Sequence, residues 1–308
     1  MTAGLVCDGG HSYNINNVKN YRKRSFIIMD KNENREIVLT EENRKGAKAR
    51  RLVFAYSLTT VAAILAGIAL RTISLVKYYD KEIGYFKSDA VLPTIFHIFC
   101  VCFLIFGLTA LLSFAKNSFD TPLCEKSLFY RASSILCAFI LGADLINSIG
   151  QIAGSASSST LDTIRAFLCV LGIIYFAAGA MTGKTKGTAR VLLGYGTIFY
   201  IALTLAKSYF DFYTTMNSPN KLLLQITFMF IMLFLLCESR AFLGISMPRA
   251  HFAEVLLTAF FSFVCSVPTI ASYIMGIFTN KEYLVPHVIC FGFGVYSLSH
   301  LWSFIKAK

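Results

Sequence analysis

Charge is what this chain has little of. Only 15% of its 308 residues are Asp, Glu, Lys or Arg, against about 25% in ordinary soluble domains, and so few cannot cover a water-facing surface. An apolar share of 56%, 28 phenylalanines and a mean hydropathy of +0.60 point the same way. The composition implies a chain that spans a membrane several times rather than one with a large soluble core.

Other absences narrow the field. The first fifty residues are polar and hold no apolar h-region, which predicts that no signal peptide is cleaved and that the first span drives insertion. Of nine cysteines, Cys100, Cys102, Cys137, Cys169, Cys237, Cys265 and Cys290 fall in apolar spans, and Cys7 and Cys124 on segments expected to be cytoplasmic. No cysteine lies on an expected outer loop, so no disulfide is predicted. There is no His-Glu-x-x-His pattern and no pair of intramembrane aspartates. The stretch from Ala178 to Thr185 ends in Gly-Lys-Thr but has Ala where a phosphate loop needs its first glycine. Glu41 to Gly46 lacks the final Arg of the Glu-Glu-x-x-x-Arg motif of prenyl-protein proteases. Ser155 and Ser157 have no partner His at a comparable depth, which argues against a rhomboid-like protease. His97, Cys100 and Cys102 have metal-ligand side chains, but on a helix 102 lies about 200° from 100, so at most two could bind together. No metal, cofactor or catalytic residue is assigned, and an enzymatic reading ranks last.

What is present begins at Arg44. Five cations, Arg44, Lys45, Lys48, Arg50 and Arg51, lead into Leu52 to Val76, twenty-five residues whose only charge is Arg71. A bilayer core of about 30 Å needs roughly twenty apolar residues at ~1.5 Å each, so this is a membrane helix with a cationic anchor. The positive cluster predicts a cytoplasmic N-terminal side. Seven further spans follow at roughly 91–115, 128–151, 162–183, 189–211, 221–243, 252–277 and 285–305. The fold class is an all-α polytopic bundle of about eight transmembrane helices with both termini cytoplasmic. On that topology 21 cations lie inside and 8 outside, but without the tail the balance is only 10 to 8. Orientation therefore rests on the opening cluster.

Two regions result, a basic cytoplasmic segment at 1–51 and a transmembrane domain at 52–308. The segment holds eleven Lys/Arg and six Asp/Glu. Its expected partner is anionic cytoplasmic lipid, at about 1 kcal/mol per cation near the surface, rather than nucleic acid. The plasma membrane is the expected location. Within the segment, Ser25 to Met29 and Glu36 to Thr40 are β-prone runs that predict a hairpin, followed by a short surface helix capped at Thr40. Pro93, Pro122, Pro219, Pro248 and Pro286 sit at or just before expected helix starts, where the missing N–H costs little. Pro268 alone is interior and marks a candidate kink.

Polar residues within the spans carry what functional signal there is. Helices 1, 3, 5 and 7 each show a small or polar stripe: Tyr56, Thr60, Ala63, Gly67, Arg71 and Ser74; Ser133, Cys137, Ile140, Asp144, Asn147 and Gln151; Gly196, Tyr200, Thr204, Lys207 and Asp211; Thr258, Ser262, Cys265, Thr269, Ser272 and Gly276. Such faces turn toward other helices, either around a shared polar cavity or in close packing. Asp144 and Lys207 are expected to pair near the outer side. Glu238 and His300 are the candidate inner polar groups, with Arg131, Arg190 or His300 as expected partners of Glu238. The function these features suggest is passage of a small solute through a cavity lined by helices 1, 3, 5 and 7. The alternative is a membrane sensor or assembly component that works through its basic tail.

Overall fold

The computed structural model describes residues 32–80, 85–87, 90–114, 127–154, 160–181, 187–210, 218–245, 247–277 and 281–306, with side chains outside 32–46 and 281–283. Among the described residues eight helices follow one another: α1 (Asn32–Tyr78), α2 (Val91–Ser113), α3 (Leu128–Gly154), α4 (Thr160–Ala180), α5 (Gly187–Phe210), α6 (Pro219–Phe242), α7 (Pro248–Ile274) and α8 (Lys281–Lys306). Each holds a stretch long and apolar enough to cross a membrane. The chain is an all-α multi-pass integral membrane protein, with the eight spans expected from sequence and ends displaced by a few residues. Between α1 and α2, Tyr79–Asp80 and Tyr85–Phe86 form a two-residue antiparallel ladder.

The tail differs from expectation. Glu36 to Thr40 is helical, not a strand, and α1 starts at Asn32 rather than after a cap at Thr40. The physical reason is continuity: a helix already formed in the span extends backward without a new nucleation cost, which outweighs the modest β-preference of Ile37 and Val38. The other half of the expected hairpin, 25–29, lies outside the described residues.

The chain divides into two compact units, Met1–Lys48 and Ala49–Lys308, and the architecture that follows is that of the second. From α3 to α7 each helix packs on the next, α8 lies against α7, α3 and α6, and α2 packs on α7. α7 is the most enclosed and α8 follows, whereas α1 to α4 keep most of their apolar residues on the outside of the bundle. The sequence of α7 explains its place, because Phe252, Val255, Leu256, Phe260, Phe261 and Val264 are apolar on every face and all buried. Stacked rings form its seams, Phe103 on Phe260 at 3.8 Å and Phe230 on Phe261 at 4.9 Å. Glycine lets backbones close in: a Cβ added at Gly107 would stand 2.6 Å from Leu257, and one at Gly292 would stand 2.8 Å from Ile140. In lipid this close packing, rather than hydrophobic expulsion, holds helices together. Phe54, Leu65, Leu112, Phe139, Ile146 and Leu192 point outward into the bilayer.

Contacts between helix ends define two sides. On the side where α1 enters the bundle, Tyr56 bonds Ser113 at the end of α2 (2.8 Å), and Phe252 near the start of α7 meets Phe304 near the end of α8. On the far side, Arg71 late in α1 donates to Asn220 at the start of α6. Pro219 and Pro248 occupy first helical turns, with the Ser218 hydroxyl accepting from the Lys221 amide at 3.3 Å. Pro93 falls in the first turn of α2, whereas Pro286, expected at a helix start, lies inside α8 because that helix begins earlier, at Lys281; Pro122 lies outside the described residues. α7 continues through Pro268 to Ile274. Gly244 and Gly276, at φ 77° and 71°, supply the left-handed turns that end α6 and α7.

Candidate functional site

Two buried polar networks, one toward each side of the bundle, concentrate the chemistry of this chain. Both are built on α3, α4 and α5.

The far-side network centres on Asp144 of α3. Its Oδ2 accepts from Arg165 Nη1 of α4 at 3.2 Å and from the Tyr200 hydroxyl of α5 at 2.7 Å. Arg165 Nη2 donates to Ser148 Oγ at 2.6 Å, and the Ser148 hydroxyl donates to the Asp144 carbonyl at 2.8 Å. All four side chains are buried. The arrangement follows from hairpin geometry, since α3 and α4 run antiparallel and the long Arg165 side chain spans the difference in depth. A buried guanidinium–carboxylate pair adds little net stability, but losing one partner leaves an uncompensated charge.

The expected pairing of Asp144 with Lys207 is corrected by this geometry. Lys207 Nζ donates to Asp162 Oδ1 at 2.7 Å, with side chains 51% and 29% exposed, so it stays at the rim while Arg165 reaches inward to Asp144. The guanidinium presents its donors in a fork that meets Oδ2 and Ser148 together, which a single ammonium cannot match. Asn147 is exposed, and Ser148 holds the buried place beside Asp144. Thr204 is buried and donates to the Tyr200 carbonyl at 2.9 Å. Arg71 is buried against Asn220 and stands 5.1 Å from the Phe96 ring. Asp211 lies outside the described residues.

The entry-side network joins six helices. Glu238 of α6 accepts from the Tyr296 hydroxyl of α8 at 2.6 Å, and His300 Nε2 of α8 stands 3.4 Å from the same oxygen. His300 Nδ1 lies 3.4 Å from His251 Nε2 of α7. In the other direction, the hydroxyls of Tyr296 and Tyr130 of α3 are 3.0 Å apart, and Arg190 of α5 donates to Tyr130. One hydroxyl carries one proton, so with Tyr296 donating to the carboxylate, Tyr130 donates to Tyr296 and accepts from the guanidinium. The polarity thus runs from cation to anion through two phenols. Arg190 also sits 4.1 Å from the Phe242 ring, and Tyr175 of α4 faces it from the side. Gly179 leaves the room required, because a Cβ there would lie 3.2 Å from both Arg190 Nη2 and the Tyr130 hydroxyl.

Of the expected partners of Glu238, His300 is in contact and Arg190 acts through the phenols. Tyr130, Tyr175 and Tyr296 are not legible from charge alone, because phenols in an apolar span look like packing residues. Tyr296 and His300, four apart on one helix face, were the available signal.

The stripes of α3 and α5 meet at Asp144 and Tyr200, and elsewhere the stripes turn to other neighbours. Gly67 of α1 meets Val264 of α7, Ile140 of α3 meets Gly292 of α8, Gly196 of α5 meets Leu171 of α4, and Thr258 of α7 donates to the Phe230 carbonyl of α6. Many of their hydroxyls bond their own helix, such as Thr60 to the Tyr56 carbonyl at 2.8 Å and Thr269 to that of Cys265 at 2.9 Å. Away from the Asp144–Tyr200 contact, these residues serve as packing faces.

Several polar atoms within the two networks make no hydrogen bond among the described residues: Asp144 Oδ1, Arg165 Nε, Glu238 Oε2, His251 Nδ1 and the Tyr175 hydroxyl. Unused capacity of this kind is costly in an apolar interior. No family profile, curated protein or solved structure matches the chain.

Proposed function

We propose that this protein passes a small solute across the membrane, and that the two buried networks are the closures of the route. The observation that carries the reading is their shared placement. α3 holds Tyr130 and Asp144, α4 holds Tyr175 and Arg165, and α5 holds Arg190 and Tyr200, one of each pair in each network. On α5 the two lie ten residues apart, about 15 Å along the axis. Between them the contacts are small, with Gly172 against Leu141 and Thr197. Helices that separate at one end and stay joined at the other would expose this middle layer to one side at a time. The route so placed runs between α3, α4, α5 and α8, and shares α3 and α5 with the cavity expected from the stripes. The unbonded atoms in each network give a polar solute something to meet.

The orientation we propose puts the entry side and both termini in the cytoplasm of a cell whose plasma membrane presents anionic lipid. The exposed Lys48, Arg50 and Arg51 support a lipid contact there.

Thr197→Cys on a background without native cysteines tests the route. Passage predicts modification by a membrane-impermeant thiol reagent from either face of sealed vesicles, since the site opens alternately to each. A residue unreactive from both faces contradicts passage and favours the sensor or assembly reading, in which the interior stays dry and activity maps to the tail.

A further inference from the structure

The two networks treat their carboxylates differently. Asp144 is matched by Arg165, whose guanidinium keeps its proton at any accessible pH. Glu238 is matched by His300, an imidazole of the kind that exchanges a proton near neutrality, and His300 leads on to a second imidazole, His251. All three are buried, on α6, α8 and α7. Glu238 Oε2 and His251 Nδ1, the two ends of the series, make no hydrogen bond among the described residues.

We infer that Glu238, His300 and His251 form a proton-binding site at the entry-side closure, with the proton as the ion that couples to solute passage. The coupling role rests on the passage reading; the site itself does not. Uptake of one proton turns neutral His300 into an imidazolium beside the Glu238 carboxylate, and transfer from His300 Nδ1 to His251 Nε2 carries the same proton one ring further. No redox partner or second reactant is needed. The other titratable groups facing the trio are Tyr130 and Cys137 from α3, Tyr175 from α4, Arg190 from α5 and Tyr296 from α8. The phenols and the thiol hold their protons near neutrality, and the guanidinium never gives its own up. The carboxylate and the two rings are then the groups left to exchange one. Arg190 fixes the local charge: with Glu238 ionised and both rings neutral the network sums to zero, and each added proton makes it positive. A positive network repels its own guanidinium, so protonation and the closed packing of α5 against α6 oppose each other.

The five histidines are His11, His97, His251, His287 and His300, few enough to follow individually. The full chain in lipid nanodiscs, with ring nitrogens isotopically labelled and signals assigned by single His→Gln variants, is titrated by nuclear magnetic resonance. The expected result is one joint transition of His251 and His300 between about pH 5 and 8. Glu238→Gln should move its midpoint by about one pH unit or more, and Lys207→Ala, at the exposed rim and outside both networks, should leave it in place. Rings that keep one protonation state across that range overturn the site, as does a midpoint indifferent to Glu238→Gln. Should Glu238→Gln fail to fold, His251→Gln decides instead: the His300 transition must move, and one that stays put overturns the inference. Thiol modification of Thr197→Cys from both faces with no histidine transition would retain passage and remove the proton. A histidine transition with Thr197→Cys unreactive would retain the proton site and remove passage.

Discussion

Asp144 and Arg165 meet at 3.2 Å across the α3–α4 hairpin, both buried, while Lys207 bonds Asp162 at the exposed rim. The two pairs should behave very differently. Asp144→Ala or Arg165→Ala strands a buried charge and should cost about 3 kcal/mol or more of stability. Lys207→Ala should cost less than about 1 kcal/mol. Thermal unfolding in a mild detergent compares them, and the exchanged protein, Asp144→Arg with Arg165→Asp, should recover part of the loss. Equal losses for Lys207→Ala and Arg165→Ala would reverse the assignment.

The phenols of the entry-side network make a second contrast. Tyr296→Phe removes the donor 2.6 Å from Glu238 and should cost about 1–3 kcal/mol, since it leaves a buried carboxylate short of a partner. The Tyr175 hydroxyl makes no hydrogen bond among the described residues, so Tyr175→Phe should be close to neutral. Denaturation curves on the two variants decide, and a larger loss for Tyr175→Phe would contradict a chain of bonds that runs through Tyr296.

Close approach of α1 to α7 is tested at glycine. A Cβ at Gly67 would stand 2.8 Å from Val264 Cγ2, whereas one at Gly142 meets nothing within 4 Å. Gly67→Ala should destabilise by about 1–3 kcal/mol, and Val264→Ala in the same chain should relieve much of that. Gly142→Ala should be neutral or slightly stabilising, as is usual for an unhindered helical glycine.

What the sequence made legible, and what it hid, follows from which forces act locally. Eight apolar runs had to be eight helices, because a backbone in lipid must satisfy its own hydrogen bonds. Pro93, Pro219 and Pro248 marked the starts of α2, α6 and α7 to within a few residues. Pairing was harder to read. Asp144 was picked out by its depth, but Arg165 lies near the outer start of α4, and spacing alone does not show that its long side chain reaches back to Asp144. The entry-side network was half visible: Glu238 and His300 stood out by charge, whereas Tyr130 and Tyr296 look like ordinary aromatic bulk until the neighbouring helices bring their hydroxyls into line. The stripes of α1, α3, α5 and α7 were legible as helix-contact faces. Which helix each one contacts depends on tertiary order, which periodicity does not carry.

Orientation is open to direct measurement. Reporter fusions after Ser157 and at Gly187 should report outside and inside respectively. Changing Arg44, Lys45, Lys48, Arg50 and Arg51 to Gln should give mixed insertion, given a cation balance of only 10 to 8 elsewhere. Reversed fusion signals, or uniform insertion without the five cations, would contradict the cytoplasmic placement of the entry side.

Alternate opening of two closures on shared helices is the central claim, and distances between spin labels test it most directly. Labels at the exposed Leu128 and Leu192 report the entry-side ends of α3 and α5, and labels at the exposed Ile146 and Phe210 report the far-side ends. Pulsed electron resonance on each pair in nanodiscs should give two distance populations. Asp144→Asn, which loosens the far-side network, should favour the longer far-side distance and the shorter entry-side one. A single distance at both ends, unmoved by that substitution, would contradict the account.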